Sequence, residues 1–313
     1  MSRPSPARLA LALALALALL LAVLPYVAPA RAAGPVCTVA AAGGTYASVA
    51  AALADPGCAT IQVAAGTFVT NVTITRPVVI EGAGVSTQLD GGGMNRFQRV
   101  ITVEDAAPVE LRNLALVNGD AGDIPGGALY NSGTVTLTNV LVQGNAGGNA
   151  GSIRNVGTMT IIGSTITENR GRSVGGILND GTLTIRDSVL SANQGNAGAI
   201  ISTGALTLVN TTVAGNTSPT GPAVNVFQGS ALIESSAIVD NSGGDSAESL
   251  PAGLRANPGT TVTLQSTALL RNGPGTNCLG VIASKGGNLA DDASCGAAAA
   301  TVQTQLFLPA LQQ

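Results

Sequence analysis

The chain has 313 residues with 14 basic and 17 acidic side chains, no histidine, 41 glycines, and a hydrophobic fraction of 45% of which little is aromatic. The acidic balance leaves no clustered Lys and Arg for phosphate contacts, which excludes nucleic acid as a partner, and the missing histidine excludes Ser-His and Cys-His nucleophile systems. A core without tryptophan has to be narrow and aliphatic.

Taken in chain order, residues 1–32 read as a secretory signal peptide. Arg3 and Arg8 precede an uncharged apolar run over 9–24 that ends at Pro25, and Ala30-Arg31-Ala32 supplies the small-x-small cleavage site. The run is shorter than the roughly 20 residues that span a bilayer, so the mature chain is not expected to cross a membrane. Cleavage near Ala32 places the protein outside the cell or on its surface. It also removes three of the 14 basic residues, leaving 11 against 17 acidic, or about −6. Lipidation at Cys37 is the competing reading, disfavoured by Val36 in the place usually held by Gly or Ala.

Residues 33–60 read as an N-terminal cap. The alanine-rich stretch 46–53 predicts a short helix stopped by Asp55-Pro-Gly57, a natural cover for the open end of a solenoid. The four cysteines form two close pairs, Cys37 with Cys58 and Cys278 with Cys295, which in an exported chain read as local disulfides. Zinc is the rival reading, poorly served by these spacings without histidine. Four cysteines allow three connectivities, and the sequence does not choose among them.

From 61 to 296 the chain repeats. Asn145, Asn169, Asn193, Asn216, Asn241 and Asn272 recur at spacings of 24, 24, 23, 25 and 31, and Gly133, Gly157, Gly181, Gly204 and Gly229 follow the same insertions and deletions. A period of about 24 residues means a solenoid, because a propeller blade needs a longer unit. Within each unit apolar residues alternate, as in Gly157-Thr-Met-Thr-Ile161, which is a strand period. Four aliphatic columns per unit, represented by Met159, Ile161, Ile166 and Ile153, describe about three short strands per coil. The expected fold is therefore all-β: a right-handed parallel β-helix with a short N-terminal capping helix, and residues 297–313 as a C-terminal tail. The asparagine column reads as a ladder of stacked amides at a turn, and Asn169→Ala is expected to cost about 1–2 kcal/mol. Asn131, Asn155 and Asn179 form a second, shorter ladder.

Gly126-Gly-Ala-Leu129 followed by Val142-Gln-Gly-Asn145, and Gly175-Gly-Ile-Leu178 followed by Leu190-Ser-Ala-Asn193, resemble the repeats of polymorphic outer-membrane proteins. The usual Phe of that motif is aliphatic here. The opening cap over 46–68 and the closing segment 277–295 resemble the first and last coils of secreted right-handed β-helix proteins of the pectin-lyase-like fold. That resemblance covers roughly residues 44–296. It implies a fold that hosts polysaccharide lyases and hydrolases, whose lyases use Arg or Lys as a base beside calcium-binding acids.

Candidate charged residues on the middle coils are Arg154, Arg170, Arg172 and Arg186, with Glu168, Asp180 and Asp187. No column repeats acid with acid, so isolated solvated charges are the expectation. Asp291-Asp292 is an adjacent acidic pair, the residue type glycoside hydrolysis needs, but it falls at the end of the solenoid and reads as a solvated turn. Outward threonines at 134 and 136, 158 and 160, and 182 and 184 form two columns that fade at Ala205 and Ser230. They resemble the ice-binding face of some β-helical antifreeze proteins, although Thr also simply suits exposed strands. The regular ladders and missing catalytic groups favour a non-catalytic surface or matrix protein, structural or adhesive, with no cofactor. The alternative is a polysaccharide-binding or polysaccharide-cleaving protein.

Overall fold

In the computed structural model, which describes residues 34–93, 98–104, 108–219, 221–244 and 250–296, the alternating segments wind into a right-handed parallel β-helix of about ten turns. The expected signal peptide and the tail 297–313 lie outside the described residues. One coil shows the plan: Ile153–Asn155, Thr158–Ile162 and Thr165–Thr167 are its strands, stacking on like strands of neighbouring coils as faces C, A and B. Face C is a nine-stranded sheet, and faces A and B join into one sheet where Val109–Val117 and Thr134–Gln143 run through the corner between them.

Alternation explains the core. Val135, Met159, Leu183 and Leu206 pair in register and are all buried, and the same holds for Leu137, Ile161, Ile185 and Leu208. Each such side chain contributes about 1.5–3 kcal/mol by leaving water. The glycine column has a steric cause. The turn from face C to face A brings backbone onto backbone, so a Cβ on Gly181 would lie 1.9 Å from the Gly157 carbonyl oxygen.

Two corners per coil use a left-handed residue. Asn113, Asn139, Gly163, Asp187, Asn210, Ser235 and Ser266, with φ of 47–57°, turn the chain from face A to face B. At the next position a hydroxyl commonly follows. Ser164 accepts the Val140 N–H at 3.0 Å and donates to the Ile162 carbonyl at 2.8 Å, and Ser188 and Thr211 repeat the second contact. The second left-handed column, from Asn118 and Gly144 through Glu168 to Arg271, ends face B and leads into the asparagines.

Those asparagines are buried and bonded along the axis. Asn169 accepts from both the backbone N–H and the amide of Asn145, each at 3.0 Å, and its own amide donates to Asn193 Oδ1 at 2.9 Å and to the Val142 carbonyl at 3.0 Å. All four hydrogen-bonding positions of the amide are thereby used. The chain of amides continues through Asn216, Asn241 and Asn272 to Asn277, whose amide donates to the Asp291 carboxylate. The inner ladder runs from Asn131 through Asn155 and Asn179 and ends on the Ser202 hydroxyl.

Both ends are closed. Val49–Ala54 is a helix whose N-cap Ser48 accepts from the Ala51 N–H; Arg76 donates to the Leu53 and Asp55 carbonyls at its other end, and a Cys37–Cys58 disulfide ties the first strand to the segment after the helix. At the C-terminal end Cys278 is bonded to Cys295. Asp291 and Asp292 lie in a bend, Asp291 exposed as expected and Asp292 half-buried, and each also accepts a backbone N–H at 2.8 Å, from Arg271 and Asn277 respectively. Burial pushes the Asp292 carboxyl up, but bonds from Ser294 and Asn277 outweigh it and hold the group below its usual value.

Asn169→Ala is expected to lower the unfolding free energy by about 3 kcal/mol, more than the sequence alone suggests. It strands the buried Asn145 N–H and Val142 carbonyl together, at roughly 1–3 kcal/mol each. Urea unfolding measures this, and a change under about 1 kcal/mol would remove the ladder's energetic role. A carboxyl held low when folded stabilises the fold above its unfolded pKa, and the contribution disappears as pH falls through the folded value. Acidification should therefore loosen residues 277–296 first, and hydrogen exchange should show this acid sensitivity weakened in Asp292→Asn.

Candidate functional site

After each ladder asparagine the chain makes a narrow excursion before re-entering face C. Ala146–Gly147 pairs with Arg170–Gly171, and bridges continue from Arg170 to Gln194 and Thr217. Gly147, Gly171 and Gly195 keep these excursions tight: a Cβ on Gly171 would lie 2.2 Å from the Val174 carbonyl oxygen on the returning strand. Ala150, Val174, Ala197 and Leu178, with Ile201 against them, form a small apolar cluster that glues the excursions to the outside of face C.

The outward side of this ladder is a cleft of about 430 Å³. Its polar lining comes from Asp120, Arg170, Arg172, Gln194 and Asn196, with the backbone of the glycines and Pro219 between them. Arg170, Gln194 and Asn196 are exposed, and among the described residues no acid forms an ion pair with Arg170. Arg172 pairs with Asp123, but with 70% and 94% of the two side chains accessible the pair is screened and weak. Asp120, the one carboxylate of the lining among the described residues, accepts the Gly122 N–H at 2.9 Å. The arrangement offers two guanidinium groups and two primary amides to a ligand, without the two opposed carboxylates of a glycosidase.

The other sequence candidates lie elsewhere. Arg154 projects from face C and pairs with Asp180, whose carboxylate also accepts from the Thr203 hydroxyl at 2.6 Å. Arg186 points outward from face A. Glu168 and Asp187 occupy left-handed corners, accepting from Gln143 at 2.9 Å and Asn210 at 2.6 Å. Of the seven, only Arg170 and Arg172 come together in one cleft.

Sequence reasoning missed Arg99, which sits in the degenerate stretch before the clear repeats. Its guanidinium lies 5.0 Å from the centre of the Tyr130 ring and donates to the carbonyls of Gly126 and Pro125 and to the Thr102 hydroxyl at 2.7–3.0 Å. Burial pushes it down from its usual pKa, partly offset by Tyr130. It straps the segment before Leu129 onto face C. The cluster of Cys37, Asp55 and Cys58 has close ligand atoms, but its sulfurs are bonded to each other and Asp55 accepts from the Tyr46 hydroxyl and the Gly57 N–H, so it is a staple with no thiolate to offer a metal.

No protein-family model matches the chain, and no curated protein is similar to it. Among solved structures it is similar to a pectin methylesterase from carrot, with a TM-score of 0.54 and 15% identity over 81% of this chain and 89% of that one. It also aligns with the catalytic domain of a GH87 alpha-1,3-glucanase at a TM-score of 0.33 and 13% identity, over 84% of this chain and 71% of that one, too low to support argument. The fold is thus the pectin-lyase-like right-handed parallel β-helix.

Arg99→Ala is expected to destabilise the protein by about 1.5–3 kcal/mol, the scale of a charged donor's hydrogen bonds. Arg170→Ala should change stability by less than about 0.5 kcal/mol. Paired urea titrations check both, and equal effects would contradict the division into strap and cleft.

Proposed function

We propose that the chain is an exported β-helix that binds an acidic polysaccharide in the cleft of Arg170, Arg172, Gln194 and Asn196. The observation that carries the reading is the convergence there of two exposed guanidinium groups, one without an ion-pair partner among the described residues and one weakly paired, with two amides, an arrangement that fits carboxylates and ring hydroxyls. The fold it shares with a pectin methylesterase makes pectin the first ligand to test. Export is supported by the two disulfides, which persist in oxidising compartments, and among the described residues no helix is long and apolar enough to cross a membrane. Binding without cleavage is favoured over hydrolysis because, among the described residues, the lining holds one carboxylate, already engaged with a backbone N–H.

Affinity electrophoresis through polygalacturonate, highly methylated pectin and a neutral glucan is the test. Retardation is expected in polygalacturonate, less in methylated pectin and none in the glucan. Arg170 is exposed, so Arg170→Ala should weaken binding about two- to fivefold, equivalent to roughly 0.5–1 kcal/mol. Added salt should weaken it further. Unchanged mobility in all three gels would overturn the reading, and chain shortening or methanol release would replace binding with catalysis.

A further inference from the structure

Face A carries a surface that the cleft does not use. Its outermost column reads Thr134, Thr158, Thr182, Ala205, Ser230 and Thr261, each paired in register with the next. The column two residues further along each strand is threonine throughout except at Leu232. The fading at Ala205 and Ser230 is therefore an interruption, since both columns resume at Thr261 and Thr263. Between Thr134 and Thr263 neither column contains a charge; the second column meets one on the preceding coil, where Glu110 pairs with Thr136 and is itself held by Arg112. The charges of these strands, Arg186 and Glu234, stand in the third column beside the corner.

Parallel stacking without a register shift repeats the hydroxyls at about 4.8 Å along the axis and about 6.6 Å along each strand. β-Branching limits each threonine at χ1, so the positions are rigid as well as regular. Stacking also keeps such a sheet flatter than an open one. A flat array of this kind suits neither a small ligand, which needs a concave site, nor a protein, which needs aromatic or Arg anchors. It suits a solid with matching periodicity. In ice, two oxygen repeats of similar size lie at right angles on one crystal face, so the hydroxyls can occupy lattice positions while the methyls order the water between them.

We propose that the threonine columns of face A adsorb to ice. The test measures thermal hysteresis, crystal shaping and partition into a slowly grown ice phase, for the wild-type protein, for Thr158→Lys at the centre of the array, and for Thr167→Lys on face B. Expected are hysteresis, faceted crystals and enrichment in ice for wild type and Thr167→Lys, and loss of all three for Thr158→Lys with an unchanged unfolding midpoint. A wild-type protein that neither shapes ice nor enters it overturns the proposal without reference to any variant. Unchanged activity in Thr158→Lys, or pelleting with crystalline cellulose in place of ice, overturns it as well.

Discussion

The structure depends on one constraint: each coil can satisfy its backbone only through the coils directly above and below it. Strand hydrogen bonds run along the axis, so a buried position in one coil faces its own equivalent in the next. For aliphatic residues this produces stacked columns. For polar residues it is more demanding, because a buried amide with no water must find every partner axially or among adjacent carbonyls. Asparagine meets that demand through two donors and an acceptor on a short stem, so the ladder can be continuous from Asn145 to Asn277.

The ladder has a direction. Every amide-to-amide bond runs from an N-terminal donor to a C-terminal acceptor, while the second N–H of each amide donates back to a carbonyl of the preceding coil. The last donor of the series is the Asn277 amide, and the Asp291 carboxylate accepts from it. At the opposite end the Gly119 N–H donates into Asn145 at 2.9 Å. Hydrogen bonds in such chains polarise one another, so an anionic terminus strengthens bonds several coils away. The same logic accounts for the position of the disulfides. Coils at the ends have a neighbour on one side only, and each cystine closes a loop of 17 or 21 residues there, worth roughly 3 kcal/mol in the chain-entropy account.

The sequence made the interior legible because the interior repeats. Met159, Ile161, Ile166 and Asn169 each sit in a column whose chemistry the stacking enforces, so spacing alone recovers the fold. The left-handed corners were not legible. They face solvent and accept any residue that tolerates positive φ, so Asn139, Asp187, Ser235 and Arg271 share a conformation without sharing a side chain. The cleft was half legible: Arg170 and Arg172 stood out as charges, whereas Gln194 and Asn196 become partners only because the excursions stack two coils together. Arg99 was invisible because it acts across coils from a stretch where the period is degraded. The bonds that Asp291 and Asp292 accept at the end of the ladder were not legible for a related reason, since they belong to its closing segment and to no repeat.

What stacking dictates inside it leaves free outside, and the outward positions divide into two kinds. On face A the outward residues repeat almost as strictly as the core, although nothing in the core requires it: Thr158 and Thr160 could be replaced by many polar residues without affecting Met159 or Ile161 beneath them. Around the excursions they do not repeat, and Ala146, Arg170, Gln194 and Thr217 follow one another in a single column. A regular array multiplies one weak contact over many coils and can recognise only a partner with its own period. An irregular column places unlike groups at fixed steps and can recognise one segment of a chain. Because the two columns occupy different sides of the same coils, neither recognition excludes the other.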